Sequence, residues 1–483
     1  MFDLRPVAYV IGLLVAALGL TMLLPLLVDL AEGRGHWPAF AESAIITILA
    51  GGFMSLASAN AGRSGLSIQQ TFFLTTGVWL ALPIFGSLPF VFGETEARFV
   101  DAFFEAMSGL TTTGSTVLAD LEDLPKGLLL WRGLLQWLGG IGIIVVAMVF
   151  LPELRVGGMQ IFRSEGFDTF GKILPRATEI SANISTIYVS LTLLCTVAYI
   201  VSGMTAFDAS VHAMTTVATG GFANYDASFA VFGAPAEYVA VVFMLLAALP
   251  FVRFVQLVNG RSVQPLYRDS QIRMFLLTAL VIVVVMTAWR VSVTNTTGEP
   301  AVRKVLFNVV SILTGTGYAS EDYGQWGPFA VAMFFFVGLI GGCAGSTSCS
   351  IKIFRYQLLF ASLRVALQRI SSPNGVFTPR YDGRSVGPDV LSSVMSFFVY
   401  FVVTLGLLSV ALGMTGLDFT TSLSGAAAAL ANIGPGLGDE IGPSGNFGGL
   451  NDTAKWLLIA AMLIGRLELL AVYAIFTIRF WRA

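Results

Sequence analysis

The stretch Leu313-Thr314-Gly315-Thr316-Gly317-Tyr318 lies between a helix-like run at 302–312 and an apolar run that begins at Phe329. A short helix, an extended Thr/Gly segment and a membrane helix, in that order, are typical of an ion-selectivity filter, where backbone oxygens replace the water shell of a cation. Glycine suits such a segment because it reaches left-handed backbone conformations. A single match would be weak, because Thr/Gly turns are common.

Three further stretches have the same pattern. Residues 104–114 and 210–220 also end in Thr-Gly, and residues 424–434 end in Ile-Gly. Aligned on one glycine each, successive repeats are 106, 95 and 119 residues apart. The glycines of this alignment are Gly114, Gly220, Gly315 and Gly434. Such internal repetition indicates that one chain builds a four-part ring.

The composition indicates a membrane protein. Of 483 residues, 55% are hydrophobic and only 12% are charged, whereas a soluble domain has about 25% charged residues. Apolar runs of about 20 residues, the length that crosses a bilayer, recur along the chain. The net charge of −2 gives no basic field for nucleic acid. Because no metal-ligand cluster or nucleophile–base pair lies in these runs, we do not expect an enzyme.

The sequence therefore predicts an all-α polytopic membrane protein with four pseudo-repeats of helix, pore helix, filter and helix around one central pore. An N-terminal pair of transmembrane helices, at 7–30 and 41–61, precedes the repeats. The predicted units are 1–65, 66–155, 156–260, 261–375 and 376–483. The repeats' predicted spans are 70–92, 128–150, 184–204, 238–258, 272–293, a segment from 329, 390–414 and 456–480.

The segments before the filters are too short to cross a membrane. They cover 100–111, 207–217, 301–312 and 419–430, and about 11 residues make only about 17 Å of helix. Non-helical backbone at that depth is tolerated only when it is buried in protein or lines water. The C-terminal end of each half-helix would point inward, where its partial negative charge favours a cation.

Lys/Arg bias predicts which side is cytoplasmic. The basic residues fall between the repeats and at the chain ends, which places both termini in the cytoplasm; they are Arg5, Arg63, Arg155, Arg163, Lys172, Arg176, Arg261, Arg268, Arg273, Lys352, Arg355, Arg364, Arg369, Arg380, Arg384, Arg479 and Arg482. The acidic residues near the filters are Glu94, Glu96, Asp101, Asp120, Glu122, Asp123, Asp226, Glu321, Asp322, Asp439 and Glu440. They form either an outer vestibule that concentrates cations or ordinary solvated loops.

Small residues interrupt the last helix of the third repeat at 341–350. A helix facing lipid would not hold so many glycines and hydroxyls, so this stretch should line a cavity. We interpret it as a gating loop; tight packing between helices is the alternative. A phosphate-binding loop is excluded because the Gly-x4-Gly-Lys-Ser/Thr spacing is absent. The candidate gating residues are Gly341, Gly342, Gly345, Ser346, Thr347, Ser348 and Lys352.

Arg466 lies in the middle of the last predicted span, where a charge is costly and usually functional. It either faces the pore, where it raises the barrier to permeation or holds the gating loop, or it pairs structurally with Glu468 or a carbonyl. His212, on the second half-helix, is expected to be a packing residue rather than a ligand.

The combined motifs resemble the bacterial Trk/Ktr/HKT potassium transporter family. They are Thr112-Thr113-Gly114-Ser115-Thr116, Ala218-Thr219-Gly220-Gly221-Phe222, Thr314-Gly315-Thr316-Gly317-Tyr318 and Ala431-Asn432-Ile433-Gly434-Pro435-Gly436, with 341–350 before the last. The length and the N-terminal helix pair are similar to the TrkH/TrkG type of membrane subunit rather than the shorter Ktr type. One departure is Cys349-Ser350, where family members often have two glycines.

The resemblance implies that K⁺ is the transported ion and that the chain carries no organic cofactor. It implies a homodimer in the lipid bilayer of the bacterial inner membrane. It also implies gating by a TrkA-like cytoplasmic ring that binds ATP/ADP or NAD(H), acting on the gating residues above and on Arg466. The residues it places in the K⁺ filter are Thr112, Thr113, Gly114, Ala218, Thr219, Gly220, Leu313, Thr314, Gly315, Asn432, Ile433 and Gly434.

Two transport mechanisms remain open at the level of sequence. The first is channel-like K⁺ uptake through a filter that rejects Na⁺ less strongly than one built from four TVGYG loops. The alternative is a K⁺/H⁺ or K⁺/Na⁺ symporter, which needs a titratable or charged residue deep in the pathway. The candidates for that role are Glu105, His212 and Glu468.

Overall fold

The computed structural model describes residues 3–33, 35–60, 66–146, 158–159, 177–293 and 297–482. These residues form helices joined by loops, with one two-stranded hairpin of β1 (Arg380–Tyr381) and β2 (Arg384–Ser385). Among them, seven helical segments are long and apolar enough to cross a membrane, and a pair bent by 87° would make an eighth. The prediction of a multi-pass helical membrane protein is confirmed.

The N-terminal pair consists of α1 (Arg5–Thr21), α2 (Leu23–Glu32) and α3 (Trp37–Ala57). Helices α1 and α3 approach closely through glycines: a Cβ on Gly51 would lie 2.4 Å from the backbone nitrogen of Ala16. Small residues at such a crossing let two membrane helices pack backbone to backbone. The predicted pair is confirmed, with α1 and α2 together forming the first span, Arg5–Glu32.

Each of the four repeats contains a membrane helix, a shorter buried helix and returning helices. In chain order the helices are α4 (Ile68–Gly86), α5 (Leu88–Phe92), α6 (Phe99–Leu110) and α7 (Lys126–Val145) in the first repeat; α8 (Ala177–Val201), α9 (Ala206–Val217), α10 (Ala234–Ala247), α11 (Phe251–Gly260) and α12 (Gln264–Arg268) in the second; α13 (Ser270–Val293), α14 (Glu299–Thr314), α15 (Pro328–Gly338) and α16 (Ile353–Ser371) in the third; and α17 (Pro388–Gly413), α18 (Phe419–Ala431), α19 (Asp452–Arg466), α20 (Leu470–Ile475) and α21 (Ile478–Arg482) in the fourth.

The four short helices α6, α9, α14 and α18 contain 12, 12, 16 and 13 residues, so none exceeds about 24 Å. Side chains cap two of their first turns: Thr205 accepts a hydrogen bond from the Asp208 N–H, and Asp418 accepts one from the Thr421 N–H. Most of their residues are buried, as expected for half-helices surrounded by spans. The third is four residues longer than predicted.

Two predicted continuous spans are wrong because the helices break. The span predicted at 238–258 bends by 87° between α10 and α11, where Pro250 has no N–H to continue the ladder. The span predicted at 456–480 ends at Arg466, and Glu468 and Leu469 then adopt positive φ values of 58° and 51°. The predicted interruption after Phe329 is confirmed, because α15 ends at Gly338 and α16 begins at Ile353.

The breaks of the second and third repeats bond to each other. The carbonyl oxygens of Ala247 and Ala248, at the end of α10, accept hydrogen bonds from the Thr347 hydroxyl at 3.0 Å and from the Cys343 N–H at 3.0 Å. The Phe251 N–H donates to the Gly345 carbonyl at 2.9 Å. Buried backbone groups must find hydrogen-bond partners. Here the backbone groups left unpaired at the break between α10 and α11 bond to the loop between α15 and α16, and that loop's unpaired groups bond to the break.

Some predictions fall outside the described residues. These are the basic residues Arg63, Arg155, Arg163, Lys172 and Arg176, and the parts of predicted spans that lie at 61 and 147–150.

Candidate functional site

The four filter segments follow their short helices with the same backbone hydrogen bonds. In each, one N–H bonds three residues back, from Thr112 to Gly109, Thr219 to Thr216, Gly315 to Ile312 and Asn432 to Ala429. The next N–H bonds five residues back, from Thr113 to Ser108, Gly220 to Thr215, Thr316 to Ser311 and Ile433 to Ala428. This pattern fixes which residues are equivalent in the four repeats.

Backbone angles confirm this equivalence. Positive φ recurs at two positions per segment, at 50° and 87° for Thr112 and Gly114, 49° and 78° for Thr219 and Gly221, 76° and 84° for Gly315 and Gly317, and 52° and 104° for Asn432 and Gly434. The common glycines are therefore Gly114, Gly221, Gly317 and Gly434. The alignment predicted from sequence is wrong at Gly220 by one residue and at Gly315 by two, because each lies in a stretch with a second glycine.

The common glycines join the four segments into a closed ring. A Cβ on Gly114 would lie 2.1 Å from the Gly220 carbonyl oxygen, and one on Gly221 would lie 1.9 Å from that of Thr316. A Cβ on Gly317 would lie 2.0 Å from the Ile433 oxygen, and one on Gly434 would lie 2.9 Å from that of Thr113. The contacts thus run from repeat one to two, two to three, three to four and four back to one.

A cavity of about 160 Å³ opens at this ring. All four common glycines line it, together with residues of the loops that follow the filters. Residues from four distant parts of the sequence therefore share one opening.

Hydroxyl and amide side chains support the ring from behind. Thr111 and Thr113 share a hydrogen bond of 2.7 Å between their hydroxyls, and the equivalent Thr314 and Thr316 share one of 2.8 Å. Asn432 links repeat four to repeat one through Nδ2, which donates to the Thr113 hydroxyl at 2.8 Å. Side chains that hydrogen-bond within buried networks hold one geometry, so the ring is rigidly supported.

Not all of the predicted filter residues lie in the extended segments. Leu313 and Thr314 belong to the last turn of α14, and Ala218, Gly315 and Asn432 are the C-caps of α9, α14 and α18. The other predicted positions follow the helix ends; they are Thr112, Thr113, Gly114, Thr219, Gly220, Ile433 and Gly434.

Two supporting residues on α7 were missed by the sequence analysis. Gln136 donates from Nε2 to the Gly220 carbonyl at 2.7 Å and accepts from the Phe222 N–H at 3.0 Å. Arg132 is 1% exposed, pairs with Glu105 at 2.8 Å and donates to the Ala223 carbonyl at 2.7 Å. An arginine inside an apolar span is itself a signal of function, and it could have been recognised.

Glu105 joins this network rather than standing free. Its carboxylate also accepts from the Val117 N–H at 3.0 Å and the Thr116 hydroxyl at 3.0 Å. It therefore ties the short helix α6 to the chain that leaves the first filter. His212 has its Nδ1 at 2.8 Å from the Asp208 carbonyl and three aromatic rings around it, which agrees with the predicted packing role.

The predicted gating loop lies directly below the filter. Residues 341–349 are all buried, and a Cβ on Gly315 would have the Cys349 backbone nitrogen at 4.0 Å. Gly341 and Gly345 have φ values of 77° and 75°, which glycine adopts at no steric cost. The loop also folds on itself, because the Gly342 N–H donates to the Ser348 hydroxyl at 2.9 Å.

Arg466 holds this loop against the first repeat. Its guanidinium donates to the Thr347 carbonyl at 3.4 Å, the Gly139 carbonyl at 3.2 Å and the Cys349 sulfur at 2.6 Å. The alternative of an ion pair with Glu468 is wrong, because Glu468 pairs instead with Lys352, at 2.9 Å, and with Arg355. The predicted contact with a carbonyl is present, and the role of Arg466 in holding the loop stays a prediction.

Glu468, Lys352 and Arg355 form a buried cluster, the Glu468 cluster, at the C-terminal end of the gating loop. Lys352 and Arg355 flank the start of α16, whereas Glu468 lies in the break after α19. The three side chains are 6% exposed or less. A buried carboxylate between two cations must stay paired, since an uncompensated charge is very costly there.

Several acidic residues of the predicted vestibule have structural partners. Asp101 pairs with Lys455, and Glu321 pairs with Arg290. Asp226 accepts from the Asp120 N–H at 2.8 Å, which joins the outer loops of repeats one and two. Glu94, Glu96, Asp439 and Glu440 are exposed.

Comparisons with known proteins agree with this geometry. Residues 36–481 match the TrkH family, described as cation transport proteins. The chain is 44% identical to the Trk system potassium uptake protein TrkI of Halomonas elongata over 99% of this chain and 97% of that protein. It is 36% identical to TrkH of Salmonella typhimurium over 99% of both chains. The crystal structure of the potassium transporter TrkH from Vibrio parahaemolyticus superposes with a TM-score of 0.92 at 34% identity, covering 100% of both chains.

A family match over most of the length, relatives aligned end to end and a shared architecture agree with each other. This chain belongs to the TrkH family of cation transport proteins.

Proposed function

We propose that the chain takes up K⁺ across the bacterial inner membrane through a channel-like filter made by the four glycine-containing segments. The observation that carries this proposal is the closed ring of contacts through Gly114, Gly221, Gly317 and Gly434. In such a ring, the backbone carbonyl oxygens of the four segments can coordinate a cation in place of its water shell. The relatives' names supply the ion, since they are called potassium uptake proteins.

The filter lining that we propose is a register-corrected set. It consists of three residues in each repeat, from the first position with positive φ to the common glycine: Thr112, Thr113, Gly114, Thr219, Gly220, Gly221, Gly315, Thr316, Gly317, Asn432, Ile433 and Gly434. Only one position in this set is glycine in all four repeats, and three different residue types occupy each of the other two. We therefore expect weaker rejection of Na⁺ than a ring of four identical loops would give.

We propose that the loop at 341–350 is the gate and that Arg466 and the Glu468 cluster keep it closed. Support comes from the position of Cys349 below Gly315 and from the three hydrogen bonds of Arg466. Opening requires these bonds to break together, since they hold the loop to two other repeats. A cytoplasmic nucleotide-binding ring of the TrkA type, and a homodimer of this chain, are the partners proposed for that step.

Exposed arginines at the ends of α11–α13, on α16 and in the β1–β2 hairpin support a cytoplasmic side there. They are Arg261, Arg268, Arg273, Arg364, Arg369, Arg380 and Arg384. Lys/Arg excess marks cytoplasmic loops, so we propose that both termini lie on this side.

A symporter is less well supported, because the two acidic groups among its three candidates are paired with basic residues, and the third, His212, packs among aromatic rings. Glu105 pairs with Arg132, and Glu468 pairs with Lys352 and Arg355. ⁸⁶Rb⁺ uptake into a K⁺-requiring bacterial strain tests the proposal. We expect the wild-type chain to restore growth and Rb⁺ uptake. In a separate recording, we expect a reversal potential that follows the K⁺ gradient and does not depend on pH. Correct membrane insertion without uptake would overturn the proposal, and so would a reversal potential that shifts with pH, or with Na⁺ by the amount that a fixed K⁺:Na⁺ coupling ratio requires.

A further inference from the structure

An apolar cavity of about 450 Å³ lies between the N-terminal helix α1 and the first repeat, separate from the opening at the glycine ring. Its walls come mainly from α1, α4 and α7, with Leu110 at the end of α6 and Ser185 on α8, and its lining includes Leu14, Val78 and Leu138. Its volume is about three times that of an engineered apolar cavity of about 150 Å³ that stays dry and binds benzene. The cavity is therefore large enough for an apolar guest.

The hydroxyl groups at the cavity wall are already used. Thr21 donates to the Leu18 carbonyl at 2.7 Å, Thr75 to the Thr71 carbonyl at 2.7 Å and Ser185 to the Ser181 carbonyl at 2.8 Å. A buried water needs two to four polar partners. Since these hydroxyls donate within their own helices and the other lining side chains are apolar or aromatic, the site favours a hydrocarbon over water.

The cavity is open toward the side where lipid would lie. Leu14 is 40% exposed, and the walls belong to the spans Arg5–Glu32, Ile68–Phe92 and Lys126–Val145. The lining of α1 runs from Val10 to Thr21, which is about 17 Å of helix and about half of a 30 Å hydrocarbon core. Lipid chains are the apolar molecules present at that depth in bulk.

We propose that this cavity binds one acyl chain of a membrane lipid. The chain would enter past Leu14 and lie along α1. Its end would reach Trp79, Leu110 and Gly139 at the inner wall.

Two residues of the inner wall, Gly139 and Trp79, also contact Arg466, so a ligand in the cavity could affect the residue that contacts the gating loop. The Gly139 carbonyl accepts from Arg466 at 3.2 Å, and the Trp79 ring lies 5.5 Å from the Arg466 guanidinium carbon. A bound chain would press Trp79 and α7 toward this contact and favour the closed loop. This second step rests on the proposed gating function, whereas the binding step does not.

Photolabelling tests the binding step. The chain would be reconstituted in vesicles that contain a phosphatidylcholine with a diazirine at the middle of one acyl chain, illuminated, digested and analysed by mass spectrometry. Trp79 and Leu110 are only 4% and 2% exposed, so their labelling requires a chain inside the cavity. Leu20, 56% exposed on α1, reports labelling by bulk lipid.

Gly142→Leu fills the cavity without a backbone clash, because a Cβ there has only Trp79 Cζ2 nearby, at 3.8 Å. Gly406→Leu is the matched control, since Gly406 lies on α17 with nothing within 4 Å. We expect Gly142→Leu to reduce labelling of Trp79 and Leu110 at least fivefold, and Gly406→Leu to leave it unchanged, with Leu20 labelled equally in both. Val78→Phe is a second filling variant if the first does not fold.

Equal labelling of Trp79 and Leu110 in filled and control variants, or labelling confined to Leu20 in the wild-type chain, would overturn the binding site. Rb⁺ flux is the separate measurement for the coupling. Lost labelling with unchanged flux would overturn the coupling and leave the binding site in place. Absence of flux in all variants, with labelling as expected, would instead count against the proposed transport function.

Discussion

Gly317 lies against Ile433 so closely that a Cβ on it would come within 2.0 Å of the Ile433 carbonyl oxygen. Two residues earlier, a Cβ on Gly315 would lie 3.5 Å from the Asn432 carbonyl oxygen, which is an ordinary contact. The two glycines of one filter segment therefore differ in what they permit, although both have positive φ.

Gly317→Ala and Gly315→Asn should separate these roles. A positive φ costs a residue with a Cβ about 1–2 kcal/mol, and at Gly317 the contact with Ile433 adds to it, so we expect Rb⁺ uptake to fall more than about tenfold. Gly315→Asn should keep most of the uptake, because Asn432 holds the equivalent position at φ 52°. Equal loss in both variants would contradict the register given by the hydrogen bonds.

Arg466→Gln should loosen the gate. The change removes the guanidinium that bridges the Thr347 and Gly139 carbonyls. We expect Rb⁺ leak through the purified chain in liposomes, without any partner, to rise several-fold. Arg273→Gln, which changes an exposed arginine on α13, is the control and should leave the leak unchanged. A leak at or below the wild-type rate would show that Arg466 does not hold the loop closed.

Glu468→Gln should destabilise the fold near the gate. It leaves Lys352 and Arg355 buried without their carboxylate, and breaking a buried pair costs about 3–5 kcal/mol. We expect a clearly lower midpoint of thermal unfolding in detergent, compared with Glu94→Gln at an exposed loop position. A midpoint equal to that of the control would mean that the cluster is not a structural anchor.

Glu105→Gln should weaken ion selectivity in the protein that folds, and should also lower the amount of folded protein, because it leaves Arg132 buried without its carboxylate. Glu105 neutralises Arg132 and binds the Val117 N–H, so its loss loosens the chain that leaves the first filter. We expect Na⁺ to compete with Rb⁺ uptake at concentrations several-fold lower than in the wild-type chain. Asp439→Asn, at an exposed position of the mouth, should not change that competition. If Na⁺ competition in Glu105→Gln equals that of the wild-type chain, the hydrogen bonds of Glu105 do not determine ion selectivity.

The sequence was sufficient to predict the four segments, because Thr/Gly punctuation after short apolar helices is a local feature. It was insufficient for the register, since Gly220-Gly221 and Gly315-Thr316-Gly317 each offer two alignments. The left-handed φ of Thr112 and Thr219 could not be predicted from residue type, because β-branched residues rarely adopt it, whereas Asn432 is of a type that adopts it more readily.

The broken helices show a similar limit. The hydropathy of 238–258 predicted one span across Pro250. In the structure the helix breaks there, and the carbonyls of Ala247 and Ala248 bond to the loop of another repeat. That partnership is formed between residues about 100 positions apart and leaves no local mark. The pairing of Glu468 with Lys352 and Arg355, rather than with its neighbour Arg466, is of the same kind.

Anomalous diffraction from crystals grown with Rb⁺ in place of K⁺ tests the central claim most directly. The account predicts at least one Rb⁺ peak on the axis enclosed by Thr113–Gly114, Gly220–Gly221, Thr316–Gly317 and Ile433–Gly434, coordinated by oxygen atoms from all four repeats. Rb⁺ bound only elsewhere, with that axis empty at saturating Rb⁺, would contradict it.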